Sequence, residues 1–496
     1  MVVAISAAII CDMKWMVGRV EQTTLVLSVS AAFLVGVVAA RKGILVDWLW
    51  PVLTGAFALF SWRKHSWWTC FWVVMFGLSL GWWRGSVYMQ HLQAYQAHFG
   101  QRVTVVATAS EDATYNKYKQ LTFDARDVII ENTGERLVGK ISLSGFGEPA
   151  VFAGDTVRVS GKLQSSLGSY QARMTYGQLD VVNRSTAWVP QLRREFAAGM
   201  QSALPEPLAS FGMGLLIGQR ANLPQHVYDA LLMVGLVHII AVSGYNLTII
   251  LRATEGLLKK HSKRLSLMLS FGLIGLFLLF AGASASIVRA AIISVLALMA
   301  AYYGRKVRPI VLLLFAAAIT AWLNPYYLWG DASWYLSFLA FFGVLIIAPM
   351  VLARVPQRVR DSLIATVAIE TLCAEIMTVP YVLYVFGQVS FAGLLANILV
   401  AVFVPLAMLL CLVAGLAGML IPAVAGWLAW PARYLLTYML DIAQLISSVP
   451  HVFVEGIKLP LVQLALLYGA LLGAAIVLWH KTKDVEPARI TDEAEA

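Results

Sequence analysis

Long apolar runs separated by short polar breaks occupy most of the chain, and one stretch departs from that pattern. Residues 265–281, 307–323 and 459–479 are nearly continuous hydrophobic segments. At about 1.5 Å per residue, each is long enough to cross a hydrocarbon core near 30 Å thick. Three earlier segments, 23–40, 45–62 and 67–83, have the same character. Tryptophans crowd their ends (Trp48, Trp50, Trp62, Trp67, Trp68, Trp82, Trp83), where a membrane meets water.

Between residues 101 and 186 the period of the pattern drops to two. Val103-Thr-Val-Val-Ala-Thr, Leu121-Thr-Phe-Asp-Ala-Arg-Asp-Val-Ile-Ile, Leu137-Val-Gly-Lys-Ile-Ser-Leu, Thr156-Val-Arg-Val-Ser-Gly-Lys-Leu and Leu179-Asp-Val-Val are β-branched and alternating, with Gly and Asp at the turns. Five such strands in so short a segment predict a small OB-like barrel. From about residue 190 the helical period returns. Residues 205–218 read as an amphipathic or half-inserted helix, followed by about eight or nine spans between Val227 and Trp479. The predicted fold is a polytopic α-helical membrane protein of about 11–12 transmembrane helices carrying an inserted OB-like domain. Its parts are residues 1–100 (three helices), 101–189 (the β domain), 190–480 (the main membrane domain) and 481–496 (a disordered cytoplasmic tail).

Composition agrees: 59% of the 496 residues are hydrophobic and 13% charged, against about 25% charged in soluble domains. The net charge of +10 reads mainly as orientation signal, because the basic residues fall in alternate loops. Arg252, Lys259, Lys260, Lys263 and Arg264 form one such loop; Arg305, Lys306 and Arg308 a second; Arg354, Arg358 and Arg360 a third. The intervening loops carry none, which puts the basic loops in the cytoplasm and the β domain outside. Arg63 and Lys64 agree with that parity, while Arg41 and Lys42 do not. Cys11, Cys70, Cys373 and Cys411 lie in or beside apolar segments at no metal-ligand spacing, so packing is their expected role. The short apolar run at residues 1–11 lacks the basic leader of a cleavable signal.

Polar groups inside apolar spans are the candidates for chemistry, since hydrocarbon leaves them no other partner. Val237-His-Ile-Ile-Ala-Val-Ser-Gly-Tyr-Asn-Leu247 holds several. His238 and Ser243 are five positions apart, roughly 140° around a helix, and no neighbouring carboxylate would orient the imidazole, which argues against a nucleophile–base pair. Ser243 and Asn246 share a helix face. Gly244 allows close packing or unwinding, so the cluster either lines a path or packs helices. Arg289, about five residues into a span, must be paired, face a cavity or snorkel to the headgroups. Facing a cavity, its guanidinium suits phosphate. Asp331, Glu370 and Glu375 would repel a polyanion, and would serve instead as partners for Arg289 or as proton sites. Gln388 and Asn397 add polar groups further along. In the β domain, ten Lys or Arg face nine Asp or Glu. Tyr115, Lys117, Tyr118, Lys119 and Arg126 are its candidates for stacking on and holding a nucleic acid strand. Other aromatics there are Phe123, Phe146, Phe152, Tyr170 and Tyr176, about half of the set being expected in the core.

Several ordered segments together resemble the ComEC-type competence family of inner-membrane DNA internalisation channels. They are Gly214-Leu-Leu-Ile-Gly-Gln-Arg, His238-Ile-Ile-Ala-Val-Ser-Gly, Ser286-Ile-Val-Arg-Ala-Ala, Asn324-Pro followed by Asp331 and Leu336-Ser-Phe-Leu-Ala, and Phe386-Gly-Gln-Val-Ser followed by Leu395-Ala-Asn. The likeness extends over most of residues 20–480. It implies an extracytoplasmic OB-like domain that receives single-stranded DNA and a membrane domain that passes it. The path would be lined by His238, Ser243, Gly244, Asn246, Arg289, Asp331, Ser337, Gln388 and Asn397. The chain departs from the family by having Asn246 where His is common and Tyr335 where Gln is common. It also lacks the cysteine pair that some members carry in the OB domain. No His-x-His-x-Asp-His cluster of the metallo-β-lactamase-like domain is present, so no nuclease, metal or cofactor is expected, and no catalytic residue is assigned. No Gly-x-x-x-x-Gly-Lys-[Ser/Thr] loop supplies a motor. Single-stranded DNA, membrane lipid, a separate nuclease and a cytoplasmic motor or DNA receptor are therefore the expected partners, and an oligomer is compatible with the pattern. Two other readings stay open: a secondary transporter of a small anionic solute using Arg289 with Glu370 or Glu375, and an intramembrane hydrolase using Ser243.

Overall fold

A computed structural model describes residues 22–62, 67–116, 118–148, 150–166, 170–218, 223–240, 247, 251, 262–282, 285–304 and 308–483. Among them, six helices are long and apolar enough to cross a membrane: Thr23–Ala40, Lys263–Ala281, Ala332–Leu352, Ile364–Phe386, Gly393–Leu420 and Leu461–His480. Leu49–Ser61, Leu208–Ile217, Ser286–Tyr302 and Pro309–Leu323 are shorter apolar helices.

The first and third helices, Gln22–Ala40 and Trp67–Gln96, pack along a seam of small residues. Gly77, Gly81 and Gly85 fall every fourth position, on one face of their helix. A Cβ added to Gly81 would stand 2.0 Å from the Phe33 carbonyl oxygen, and one on Gly77 2.5 Å from that of Val29. Glycine is what lets these two backbones meet, the expected device where hydrocarbon offers no hydrophobic drive between helices. The helix expected to end near Trp83 runs on to Gln96. Its last turns leave the bundle and bury Tyr95 in the β domain's core.

That domain has five long strands: β1 (Arg102–Ala109), β3 (Leu121–Ile130), β5 (Ile141–Phe146), β6 (Thr156–Ser165) and β7 (Ala172–Asn183). Two-residue pieces, β2 (Thr114–Tyr115) and β4 (Arg136–Leu137), flank β3. The strand expected from Leu137 to Leu143 is thus two, parted by Gly139 at φ 125°. β1 pairs with β6 and also with β3, β6 with β7, and β3 with β5, all antiparallel; β5 and β7 run parallel. Alternation puts Val103, Val105, Ala107 and Ala109 of β1 inside.

Asp155, buried before β6, ties the domain's far edge. Its carboxylate accepts from the backbone N–H groups of Phe152 (3.0 Å) and Ser185 (2.8 Å) and from Arg184 Nη1 (2.8 Å). Asp155→Ala strands these donors and is expected to cost about 3 kcal/mol. A thermal melt of the purified protein followed through its β-sheet circular dichroism checks this; an unshifted transition would sink the assignment.

Residues 205–218 correct one expectation. The helix Leu208–Ile217 is buried on every residue and is apolar all round, not amphipathic. It forms the centre of a core built from Trp188–Ala203, Gln225–Met233 and residues 392–446. The span expected from Val227 is also corrected: Gln225–Met233 ends at Gly235 (φ 75°), and Val237–Ile240 starts afresh. The helix Ala332–Phe342 continues through a π turn at Gly343–Ile347. A Cβ at Gly343 would lie 2.4 Å from the Cys373 carbonyl, so that turn seats the helix Leu363–Phe386. A two-stranded ribbon pairs β8 (Gln388–Ser390) with β9 (Phe453–Glu455) beyond that helix's end.

Candidate nucleic-acid path

Arg289 lies in the second turn of the helix Ala285–Tyr302 and is 0% exposed. Its Nη2 donates to the Ser333 carbonyl at 3.1 Å, and the guanidinium carbon lies 5.7 Å from the Phe338 ring centroid. Nε and Nη1 are buried with no acceptor among the described residues. Snorkelling to the headgroups is therefore corrected: this guanidinium points into the bundle.

The acidic group within electrostatic reach of Arg289, Asp331, is committed elsewhere. Asp331 caps the helix Ala332–Phe342, accepting from the N–H groups of Ser333 (2.9 Å) and Trp334 (3.3 Å). It acts on Arg289 through space, and no ion pair within 4 Å joins the two among the described residues. Glu375 does not pair with Arg289 either; its partner is Asn397, whose Nδ2 donates to Oε1 at 3.3 Å. Ser337 is half-buried on the helix that Asp331 heads.

The β domain stands beside this place. Tyr327 lies within electrostatic reach of Asp331, Arg289 and Lys140 of the β domain. Tyr170 likewise senses Asp331 while donating to Asp124 Oδ2 at 3.2 Å. Lys140 forms an ion pair with the same Asp124. A file of charged and phenolic groups therefore leads from the β domain to the buried guanidinium. Lys140 and Tyr327 escaped the sequence reading, and Tyr170 stood in it only as one of the β domain's aromatics, because two chain regions far apart supply the three.

His238 is exposed, its Nδ1 2.9 Å from the Gly235 carbonyl. The preceding break at Gly235 and the packing of Ile240 on Gly214 position it. Ser243, Gly244 and Asn246 lie outside the described residues. Gln388 belongs to the ribbon, opposite Glu455. Asn397 is buried on the helix Gly393–Val400. The structure thus brings Arg289 and Asp331 together, and separately Asn397 and Glu375; it does not join His238 to Arg289.

On the β domain, Tyr118 (69% exposed) and Tyr176 (65% exposed) place their rings 6.5 Å apart. Asn116 Oδ1 accepts from the backbone N–H groups of Tyr118 (2.9 Å) and Gln120 (3.0 Å), fixing the loop that presents Tyr118 and Lys119. Tyr176 sits at an irregularity of β7 with φ 57°, a conformation unusual for a bulky residue. Tyr115 is exposed on β2. Arg126 is exposed and lies 3.8 Å from the neighbouring Asp127 carboxylate. Phe123 is core, and Phe152 lies under the Arg184 and Arg194 guanidinium groups. Lys117 lies outside the described residues.

The family model for "Competence protein" matches residues 215–482, which is more than half of the chain and includes His238, Arg289, Asp331 and Asn397. ComE operon protein 3 of Bacillus subtilis (strain 168) is 28% identical over 234 residues, covering 46% of this chain and 29% of that relative. No solved structure matches. With more than half of its length matched by that model, the chain belongs to the competence protein family.

Proposed function

We propose that this chain is an inner-membrane channel that admits a single DNA strand during natural transformation. The carrying observation is Arg289, a fully buried guanidinium whose Nε and Nη1 have no acceptor, and which has no ion-paired carboxylate, among the described residues. A charge is costly at membrane depth, and retaining one with donors unused fits a ligand that brings its own negative oxygens. A phosphate of a passing strand is such a ligand. It reaches Arg289 once the helices Ala285–Tyr302 and Ala332–Phe342 part, because the side chain is sealed in this conformation. Membership of the competence family supports DNA uptake as the process served.

The strand order β1-β3-β5-β7-β6, returning to β1 with one parallel pair, supports an OB-like domain. In this reading it is extracytoplasmic, receives the strand on Tyr118 and Tyr176, and passes it by Lys140 towards Arg289. Strand degradation and the driving motor belong to other proteins. An anion transporter coupling Arg289 to Glu375 finds no support in the geometry, because Glu375 is held by Asn397.

Binding of fluorescent single-stranded DNA to the full-length protein in detergent tests the entry face. Base–aromatic stacking contributes roughly 1–3 kcal/mol per base, so Tyr118→Ala with Tyr176→Ala should weaken binding at least about tenfold. Affinity should also fall steeply as salt rises. An unchanged dissociation constant for the double variant would remove the tyrosines from the path.

A further inference from the structure

The helix Leu363–Phe386 carries Glu375 at its middle, at the depth where an ionisable side chain needs a reason. Among the described residues, one side chain bonds its carboxyl: Asn397, from the helix Gly393–Val400 that follows the ribbon. Asn397 is buried, and its Oδ1 has no donor. The helix start is shaped around the acid, since a Cβ at Gly393 would stand 2.8 Å from Glu375 Oε1. Behind Gly393 lies Gly235, whose own Cβ would be 3.4 Å from the Gly393 Cα and 3.6 Å from the Ser390 side chain. Ser390 Oγ is a second buried oxygen without a partner. The Gly235 carbonyl in turn meets His238 Nδ1. A series of close contacts therefore runs from the mid-membrane carboxyl past Gly393 and Gly235 to the exposed histidine.

An acid and a primary amide have complementary hydrogen-bonding edges when the acid is neutral. The amide N–H bonds one carboxyl oxygen, and the acid O–H bonds the amide oxygen. The ionised acid uses the first bond and leaves Asn397 Oδ1 idle, the condition least tolerated away from water. The elements packed on this helix are Ala332–Phe342 with its continuation to Leu352, Gln357–Arg360, the ribbon, Gly393–Val400 and Leu461–Lys483. Up to residue 480 their titratable side chains are Tyr335, Arg358, Arg360, Glu455, Tyr468 and His480; on the helix itself stand Glu370, Cys373, Tyr381 and Tyr384. None of them bonds the Glu375 carboxyl among the described residues. The Tyr468 hydroxyl, for one, donates to the Met377 carbonyl.

We propose that Glu375 is a proton-binding site within the membrane, completed by Asn397, and that its protonation docks the helix Gly393–Val400 against the helix Leu363–Phe386. The proton comes from the aqueous phase and adds to a carboxylate oxygen; no other bond forms or breaks apart from the hydrogen bond to Asn397 Oδ1. Loss of that proton undocks the helix start, next to the segment that carries His238. The site extends the channel reading by giving it a proton-controlled joint, yet it is measured without DNA.

The test uses the full-length protein in lipid vesicles free of DNA. Infrared difference spectra across a pH titration should contain one neutral-acid carbonyl stretch that is lost in Glu375→Gln and shifted in Asn397→Leu. Identical titrating bands in wild type and Glu375→Gln would overturn the proposal. A hydrophobic carbodiimide, which adds to protonated carboxyls in membranes, should label Glu375 of the wild-type protein less as pH rises. This arm needs no variant to fold, and absence of the adduct at every pH also overturns it. If sodium at fixed pH suppresses the adduct, the site is a sodium site and the proton assignment fails. Should the site titrate while DNA uptake proves absent, the channel reading falls and the proton site stands.

Discussion

Arg289→Ala is expected to cut DNA uptake at least about a hundredfold while leaving the protein folded in the membrane. A hydrogen bond to a charged group is worth roughly 1.5–3 kcal/mol, and each 1.4 kcal/mol is about tenfold. A guanidinium with two idle nitrogens, Nε and Nη1, offers a strand more than one such bond. Insertion should not suffer, because a mid-span arginine itself costs about 2.5–3.5 kcal/mol on insertion scales, and alanine removes that cost. The lost contacts are small by comparison: one bond to the Ser333 carbonyl and a cation–π approach to Phe338. Arg289→Lys should fall between, keeping the charge but losing the planar fork. The measurement is nuclease-protected uptake of labelled DNA by cells whose own copy has been replaced by each variant at equal abundance. Wild-type uptake by the alanine variant would end the role assigned to Arg289.

Gly418→Leu should unfold the bundle where the helix Val404–Leu420 crosses Trp188–Ala203. Even a Cβ at Gly418 would stand 1.9 Å from the Gly199 carbonyl oxygen, and Gly199 in turn lies 2.6 Å, by the same measure, from the Met419 nitrogen. Backbone faces backbone here, so no side chain can swing away, and the helices must separate. Overpacking of this kind reaches or exceeds the upper end of about 1–3 kcal/mol. The crossing also abuts Phe196 against Gly415, so displacement would spread into the main core. Gly275→Ala is the control: nothing lies within 4 Å of its Cβ position, and alanine in a helix gains about 0.5–1 kcal/mol over glycine. Melting of the detergent-purified proteins should fall sharply for the first and hold or rise for the second. Equal melting temperatures would show that this crossing can open freely.

Much of the architecture was open to reading because periodicity is a local property. A run such as 461–480 is apolar whatever it packs against, and the alternation of β1 states its inward face before any partner is known. The seam Gly77-x-x-x-Gly81-x-x-x-Gly85 was equally local and could have been recognised as a helix-crossing signal. Lengths misled where glycine interrupts, since Gly235 divides what hydropathy joined, and Leu208–Ile217 is buried all round where an amphipathic or half-inserted helix was expected, which removes the amphipathic reading.

Arg289, Asp331 and Asn397 stood out as polar residues in apolar surroundings, a contrast the chain displays by itself. Their partners did not. Asp331 looked like a counter-ion for Arg289 and is a helix cap, because the two N–H groups it satisfies belong to the turn it begins. Glu375 looked like another counter-ion and instead faces Asn397, 22 positions further along. The sequence alone determined that this chain folds into apolar helices around an inserted β domain, and which polar groups its membrane part must accommodate. Only the tertiary structure decided which of those groups meet. Hydrophobic period is written residue by residue, whereas a buried charge takes its meaning from whichever distant segment packing brings within about 3 Å.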